Sequence, residues 1–183
     1  MAHQIVMVMR HAEKPNADIA VGGVSLSGRP DPNELSVRGW QRAGALVSFF
    51  GPLSHPVPRS VYRPSALFAP RPTPLAPSGR GRSTLMPLSD ALGVPISLEF
   101  EKGQEMQLAE AVLRHDGPAL VVWQHQALMD FARHLVGNAV SLPMAWPEKR
   151  FDMMWLFERN GGPWRFTQVA QLLLAGDSPD PIA

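Results

Sequence analysis

The chain has 183 residues, of which 45% are hydrophobic, and its 17 basic and 16 acidic side chains leave a formal net charge of +1. This length favours one compact domain, and so small a charge excludes the strong fields that gather nucleic acid or anionic membranes. The absence of cysteine excludes disulfides, thiolate catalysis and cysteine-bound zinc. We therefore expect a cytoplasmic protein with one domain over residues 1–176, a flexible tail over residues 177–183, and neither nucleic-acid nor membrane partners.

The first half of the sequence predicts two strands and one helix. Residues 5–9 are a short apolar run that ends at Arg10, which is typical of a buried strand and too short for a membrane span. Residues 35–50 place apolar side chains at helical spacing, with Asn33 as the candidate N-cap and Gly51 as the stop. Eight prolines between residues 52 and 77 leave room for one strand, over residues 61–69.

The second half alternates helices and strands. Helices are predicted over residues 83–92, 104–114 and 127–136, and strands over residues 95–100, 119–123, 151–157 and 165–174, the last two around an Asn160-Gly161-Gly162 turn. This alternation indicates an α/β fold with a mostly parallel central sheet, helices on both faces and an antiparallel edge near the C-terminus.

Two predicted strands end in a histidine. Residues 5–9 run into Arg10-His11, and residues 119–123 run into Gln124-His125. Because the carboxyl ends of parallel strands share one edge of a sheet, we expect the two histidines to meet there. An unprotonated histidine can attack phosphorus, and neighbouring arginines both disfavour its protonation and neutralise phosphoryl oxygens. Arg10 is adjacent in sequence, and Arg80 is the best remote candidate.

Four segments together resemble one known family. Arg10-His11-Ala12 is similar to an Arg-His-Gly signature at the end of a first strand, and residues 35–43 resemble the start of the helix that follows it. Residues 78–84 resemble a segment in which an arginine precedes a threonine by four residues, and residues 121–125 resemble a strand that carries a second histidine. Segments of this kind, in this order, resemble the histidine phosphatase superfamily, also called the phosphoglycerate mutase-like family.

The resemblance implies a fold and a site. The fold is a three-layer α/β/α sandwich, phosphoglycerate mutase-like. The site has a phosphohistidine intermediate on His11 and a phosphate pocket of Arg10, Arg80 and His125, without a metal and without a cofactor.

The resemblance also guides two choices among neighbouring residues. The four-residue spacing to Thr84 selects Arg80 over Arg82, which is the alternative if the proline-rich loop shifts register. Asn16 lies near the position of an asparagine that contacts phosphate in some relatives, but its spacing from Arg10 is one residue short. We interpret Asn16 as a loop residue that satisfies its own turn.

Two positions depart from the family pattern. Ala12 replaces a glycine, which is tolerated if the backbone there needs no positive φ. Gln126 stands where the acid phosphatase branch carries the aspartate that protonates the leaving group. Another acid is therefore expected, with Glu101 as the first choice and Glu13, close to the nucleophile, as the alternative. The region of Glu101 also holds Glu99 and Glu105.

These features predict a metal-independent phosphatase, a phosphoric monoester hydrolase, that acts on a phosphorylated small molecule or a phosphoprotein. One alternative is a protein phosphohistidine phosphatase, because its labile leaving imidazole manages with a poor external acid. Another is a catalytically silent phosphate-binding or scaffold protein. Mutase chemistry is disfavoured because the clamping segments of the longer mutases have no counterpart in this chain. No feature of the sequence indicates the oligomeric state.

Overall fold

The computed structural model describes residues 3–51 and 61–183, which form a six-stranded sheet flanked by four α-helices and a short 3₁₀ helix at Ala17–Ile19. The strands are β1 (His3–Arg10), β2 (Ala66–Phe68), β3 (Ile96–Ser97), β4 (Ala119–Trp123), β5 (Met153–Asn160) and β6 (Arg165–Ala170). The α-helices are α1 (Val37–Phe50), α2 (Arg80–Leu92), α3 (Glu105–Arg114) and α4 (His125–Val136). In the described ranges, no helix has both the length and the apolar character needed to cross a bilayer.

The sheet has the order β3-β2-β4-β1-β5-β6. Its first four strands are parallel, while β5 pairs antiparallel with β1 and β6 pairs antiparallel with β5. The predicted mostly parallel sheet is therefore confirmed, and so is the antiparallel edge formed by the last two strands.

β1 lies in the middle of the sheet because it is apolar on both faces. Val6 and Val8 pack into one core with α3 and α4, whereas Met7 and Met9 pack into a second core with α1 and α2. Each fully buried side chain of this size contributes roughly 1.5–3 kcal/mol through the hydrophobic effect. Helices cover both faces of the sheet, which confirms the predicted three-layer arrangement.

Three helices begin two or more residues away from the position that the sequence predicts. The N-cap of α1 is Ser36, whose Oγ accepts a hydrogen bond from the Gly39 N–H at 3.1 Å, and not Asn33. The Asn33 N–H instead donates to the Asp31 side chain in the preceding turn. α2 begins at Arg80, three residues before the predicted start, and α4 begins at His125, two residues before it. Both of these shifts bring a predicted site residue onto the first turn of a helix.

Several strands are shorter than predicted, and proline explains one of them, β2. Pro64 and Pro70 flank β2 and cannot donate ladder hydrogen bonds, so only three residues of the predicted strand pair with β4. β3 is limited to two residues, which pair with Leu67 and Phe68 of β2. β6 ends at Ala170, before Leu172, which has a φ of 50° that does not fit a strand.

The last seven residues pack on the domain, in contrast to the flexible tail that the sequence predicts. Asp177 accepts two hydrogen bonds from the Arg42 guanidinium, at 3.0 and 2.7 Å. The Ser178 N–H donates to Asp152, and Ile182 is only 4% exposed, with its backbone bonded to the Gln168 side chain. Specific polar contacts and one apolar anchor therefore hold this segment.

Candidate active site

The carboxyl ends of β1 and β4 place His11 and His125 in one cavity. Arg10 is paired with Trp123 across the two strands, and the His11 N–H continues the ladder by donating to the Trp123 carbonyl at 3.1 Å. His125, the first residue of α4, follows Trp123 after one intervening residue. The shared cavity has a volume of about 100 Å³. It is lined by Arg10, His11, Lys14, Ser78, Arg80, Gln124, His125 and Gln126.

His11 is held in one tautomer. Its Nδ1 lies 2.7 Å from the Ala12 carbonyl oxygen, and because a carbonyl can only accept, Nδ1 carries the proton and Nε2 keeps a lone pair. Burial, assisted by the charges of Arg10 and Arg80, lowers the pKa of His11 to about 3 against the effect of the Ala12 carbonyl. The imidazole is thus uncharged at neutral pH, as a nucleophile must be.

Arg10 brings a buried cation with unused hydrogen-bond donors to the cavity. Its side chain is 0% exposed, its Nη1 donates to the Glu148 carbonyl, and its Cζ lies 3.9 Å from the centre of the Phe151 ring. Its Nε and Nη2 have no hydrogen-bond partner among the described residues. Burial lowers the pKa of Arg10 to about 10, which still leaves it charged at pH 7. Unpaired buried donors are costly, so these two nitrogens indicate an anionic ligand.

Arg80 reaches the cavity from the first turn of α2. Its guanidinium donates to the backbone carbonyls of Glu34, at 3.2 Å, and Pro32, which fix its direction. Thr84, one turn later, connects this helix to the loop that follows His11: its Oγ donates to the Arg80 carbonyl at 2.7 Å and accepts from the Ala12 N–H at 2.9 Å. Thr84, the threonine of the sequence motif, therefore links the start of α2 to the loop after β1.

Two helices point their N-termini at the cavity. The first residues of α2 and α4, Arg80 and His125, line it, so the positive ends of both helix dipoles face it. Burial lowers the pKa of His125 to about 4, assisted by the Arg10 and Lys14 charges, so His125 is a neutral hydrogen-bonding group. The lining holds three cations and no carboxylate among the described residues. This composition suits a phosphate dianion.

Arg82 faces away from this cavity and lines a separate surface pocket with Met86 and Asp90. We therefore expect Arg80→Ala to weaken the binding of inorganic phosphate by at least tenfold, because it removes one of the positive charges that line the cavity. Arg82→Ala, the matched control on the same helix, is expected to leave the affinity unchanged. Isothermal titration calorimetry with phosphate measures both, and an equal loss in the two variants would contradict the assignment.

Neither carboxylate predicted as a proton donor lines the cavity. Glu101 forms an exposed ion pair with Arg71 at 3.3 Å. Glu13 is buried, but its two oxygens accept hydrogen bonds from Arg42 at 2.8 to 3.1 Å, and Arg38 lies 3.3 Å away. The Glu13 carboxylate is therefore held by two guanidinium groups outside the cavity.

The cavity also contains residues that sequence reasoning did not single out. Lys14 lines it and forms an ion pair at 2.8 Å with Glu148, 134 residues away in sequence. Gln124 and Ser78 lie on the loops before α4 and α2. In the sequence, Gln124 and Ser78 could have been identified only by their positions close to His125 and Arg80.

The two departures from the family pattern fit the structure. Ala12 is not among the residues with positive φ, and its methyl group is buried against Leu35 and Ala43. Gln126 lies at the cavity and supplies an amide in place of an acid.

Gly39 in α1 is required by close approach, because a Cβ there would lie 2.4 Å from the Glu13 carbonyl oxygen. The loop after His11 therefore packs directly on the first turn of α1.

Comparisons with solved structures identify proteins of the same fold. Bacillus stearothermophilus YhfR is 13% identical, with a TM-score of 0.55, and the match covers 96% of this chain and 98% of that one. The protein assigned as the phosphohistidine phosphatase SixA of Agrobacterium tumefaciens is 16% identical, with a TM-score of 0.50 and coverages of 91% and 98%. A mycobacterial glucosyl-3-phosphoglycerate phosphatase in complex with VO₃ is 12% identical, with a TM-score of 0.50 and coverages of 90% and 97%.

These solved proteins are members of the histidine phosphatase superfamily, and the likeness over nearly the whole chain confirms the predicted phosphoglycerate mutase-like fold. No family model matches the sequence, and no curated protein matches it. At these identities the comparison establishes the fold. The chemistry of the site depends on the residues that line the cavity.

Proposed function

We propose that this chain is a histidine phosphatase that hydrolyses phosphate monoesters through a phosphohistidine on His11, without a metal. The observation that carries the proposal is one cavity lined both by His11, whose Nε2 keeps its lone pair, and by Arg10, two of whose buried donors have no partner among the described residues. Arg80, His125 and two helix N-termini complete an environment for the phosphoryl oxygens. Two of the structural neighbours are named as phosphatases, which agrees with this proposal.

The reaction has two steps. In the first, the Nε2 lone pair attacks phosphorus, the bond from phosphorus to the leaving oxygen breaks, and that oxygen takes a proton from solvent. In the second, water attacks phosphorus, the bond to Nε2 breaks, His11 regains its lone pair and the water proton is lost to solvent. Arg10 and Arg80 hold the equatorial oxygens in both steps, where negative charge must be stabilised. The products are an alcohol or phenol and inorganic phosphate.

A second candidate is hydrolysis of phosphohistidine on another protein, and the lack of a carboxylate in the described cavity lining favours it. A phosphorylated imidazole whose second nitrogen is protonated leaves as a neutral molecule and needs no external acid. Because the described cavity lining has no carboxylate to protonate a strongly basic leaving group, alkyl phosphates are expected to be poor substrates. One structural neighbour is assigned as a phosphohistidine phosphatase, which fits this candidate.

The test is to trap the phosphoryl group. The protein is mixed with phenyl phosphate in excess chelator, quenched in alkali, in which phosphohistidine is stable, and digested for mass spectrometry. We expect turnover in chelator and a phosphoryl group on the peptide that contains His11. A phosphohistidine peptide as second substrate separates the two candidates through the ratio of their kcat/KM values. Turnover that chelator abolishes would contradict the proposal, and phosphate binding without turnover would identify a silent binding protein.

A further inference from the structure

A larger groove opens beside the catalytic cavity. It has a volume of about 460 Å³, within the range of small-molecule sites, and it shares Lys14 with the smaller cavity. We call it the loop groove. One wall is the loop after β1, from residue 13 to residue 21, and the other is formed by residues 148–151. A molecule with its phosphate near His11 therefore has this groove next to it for the remainder of its structure.

The apolar part of the loop groove is presented by an ordered turn. The N–H and carbonyl of Asn16 pair with those of Val21 at 2.8 and 2.9 Å, and the Asn16 side chain caps the 3₁₀ helix between them. Ala20 adopts a left-handed conformation with a φ of 54°, which costs free energy for a residue with a side chain. The turn holds Ile19 and Val21 in place although they are 68% and 37% exposed. Ile19 and Val21 line the same groove, and exposed apolar side chains that lie together in a groove are typical of ligand-binding sites.

The charged residues of the loop groove are largely neutralised by one another. Lys14 is paired with Glu148, and Arg38 lies 3.3 Å from Glu13 and 3.7 Å from Asp177. The two other charged residues of the lining have opposite signs and form no ion pair in the described ranges; they are Asp18 and Lys149. The loop groove thus has no excess of positive charge for a second anionic group on the ligand.

We infer that the loop groove binds the leaving group of the substrate, and that this group is uncharged and apolar, as in the phosphate monoester of a hydrophobic phenol. The inference rests on the proposed function and adds the substrate class to it. Pro15, Ile19, Val21 and Phe151 contact the leaving group, while the phosphate is held by the cavity around His11. Polyanionic substrates, such as sugar phosphates with a carboxylate, are discriminated against.

The test compares three aryl phosphates with the same reacting centre: phenyl, 4-butylphenyl and 4-(3-carboxypropyl)phenyl phosphate. Each methylene group removed from water is worth roughly a fourfold gain, so a half-covered butyl group raises kcat/KM roughly tenfold over phenyl phosphate. The carboxylate analogue is expected to fall below the butyl compound by a similar factor. Equal values for all three would overturn the inference while the proposed function stands, and no turnover of any would overturn both.

A pair of variants locates the effect. Ile19→Ser is expected to reduce the ratio of butylphenyl to phenyl turnover from roughly tenfold to about twofold. Leu26→Ser is the matched control, because Leu26 lies on the same loop, is 70% exposed and does not line the loop groove. It is expected to keep the wild-type ratio. A ratio that falls equally in both variants, or in neither, would contradict the assignment of the groove.

Discussion

Replacing His11 by alanine is expected to lower kcat for an aryl phosphate by roughly 10⁴-fold or more, as loss of a nucleophile does in other enzymes with covalent intermediates. The affinity for inorganic phosphate is expected to stay within about tenfold of wild type, because Arg10, Arg80 and the helix N-termini remain. Steady-state kinetics and calorimetry measure the two quantities. His134→Ala, an exposed histidine on α4, is the control and should leave both unchanged.

The pH dependence supplies a second readout of the same prediction. An ordinary histidine titrates near pH 6.5, whereas burial lowers the pKa of His11 to about 3 and that of His125 to about 4. In the free enzyme both rings are therefore uncharged between pH 5 and pH 8. After correction for the ionisation of the substrate, kcat/KM should show no acid limb near pH 6.5. Such a limb would contradict buried and uncharged histidines in the cavity.

Replacing Arg42 by methionine is expected to lower the free energy of unfolding by roughly 3–5 kcal/mol, because it leaves two buried carboxylates without their main partner. Arg42 is 1% exposed, and its donors contact Glu13, Asp177 and Gln171 at distances between 2.7 and 3.1 Å. Although burial opposes ionisation of Asp177, the Arg42 hydrogen bonds lower the pKa of Asp177 to about 2. Denaturant titration followed by tryptophan fluorescence measures the loss.

Arg38 provides the matched control for Arg42. It approaches the same two carboxylates, at 3.3 and 3.7 Å, but its side chain is 45% exposed. Exposed ion pairs contribute about 0–1 kcal/mol, so Arg38→Met should change the stability by no more than that. Similar losses in the two variants would show that burial does not determine the strength of this cluster.

The sequence identifies the centre of the fold better than its periphery. β4 has its predicted bounds, and β1 contains the predicted strand, because each is an apolar run closed by polar residues. The edge strand β3 is two residues long instead of six, since its length depends on pairing with the short β2. The contacts of the C-terminal segment are not readable from the sequence either: its polar composition is typical of a free tail, and its anchors are single contacts to distant residues such as Arg42.

In the cavity, the sequence indicates the residues that follow strands or open helices. His11, Arg10 and His125 come together because β1 and β4 are in parallel register, and Arg80 joins them as the first residue of α2. Neither glutamate that the sequence offers as the acid lines the cavity, for a different reason. Whether a glutamate faces a cavity or an arginine depends on tertiary partners, and both Glu13 and Glu101 are bound by arginines 29 and 30 residues away.

The position of β1 between β4 and β5 has a consequence for synthesis of the protein on the ribosome. At about 5–20 residues per second, the 113 residues that separate Arg10 from its partner Trp123 take roughly 6–23 s to translate. Throughout that interval an apolar segment with high strand propensity has no partner strand, which makes it a target for chaperones and for aggregation. Co-expression of chaperones or a lower growth temperature should therefore increase the yield of folded protein.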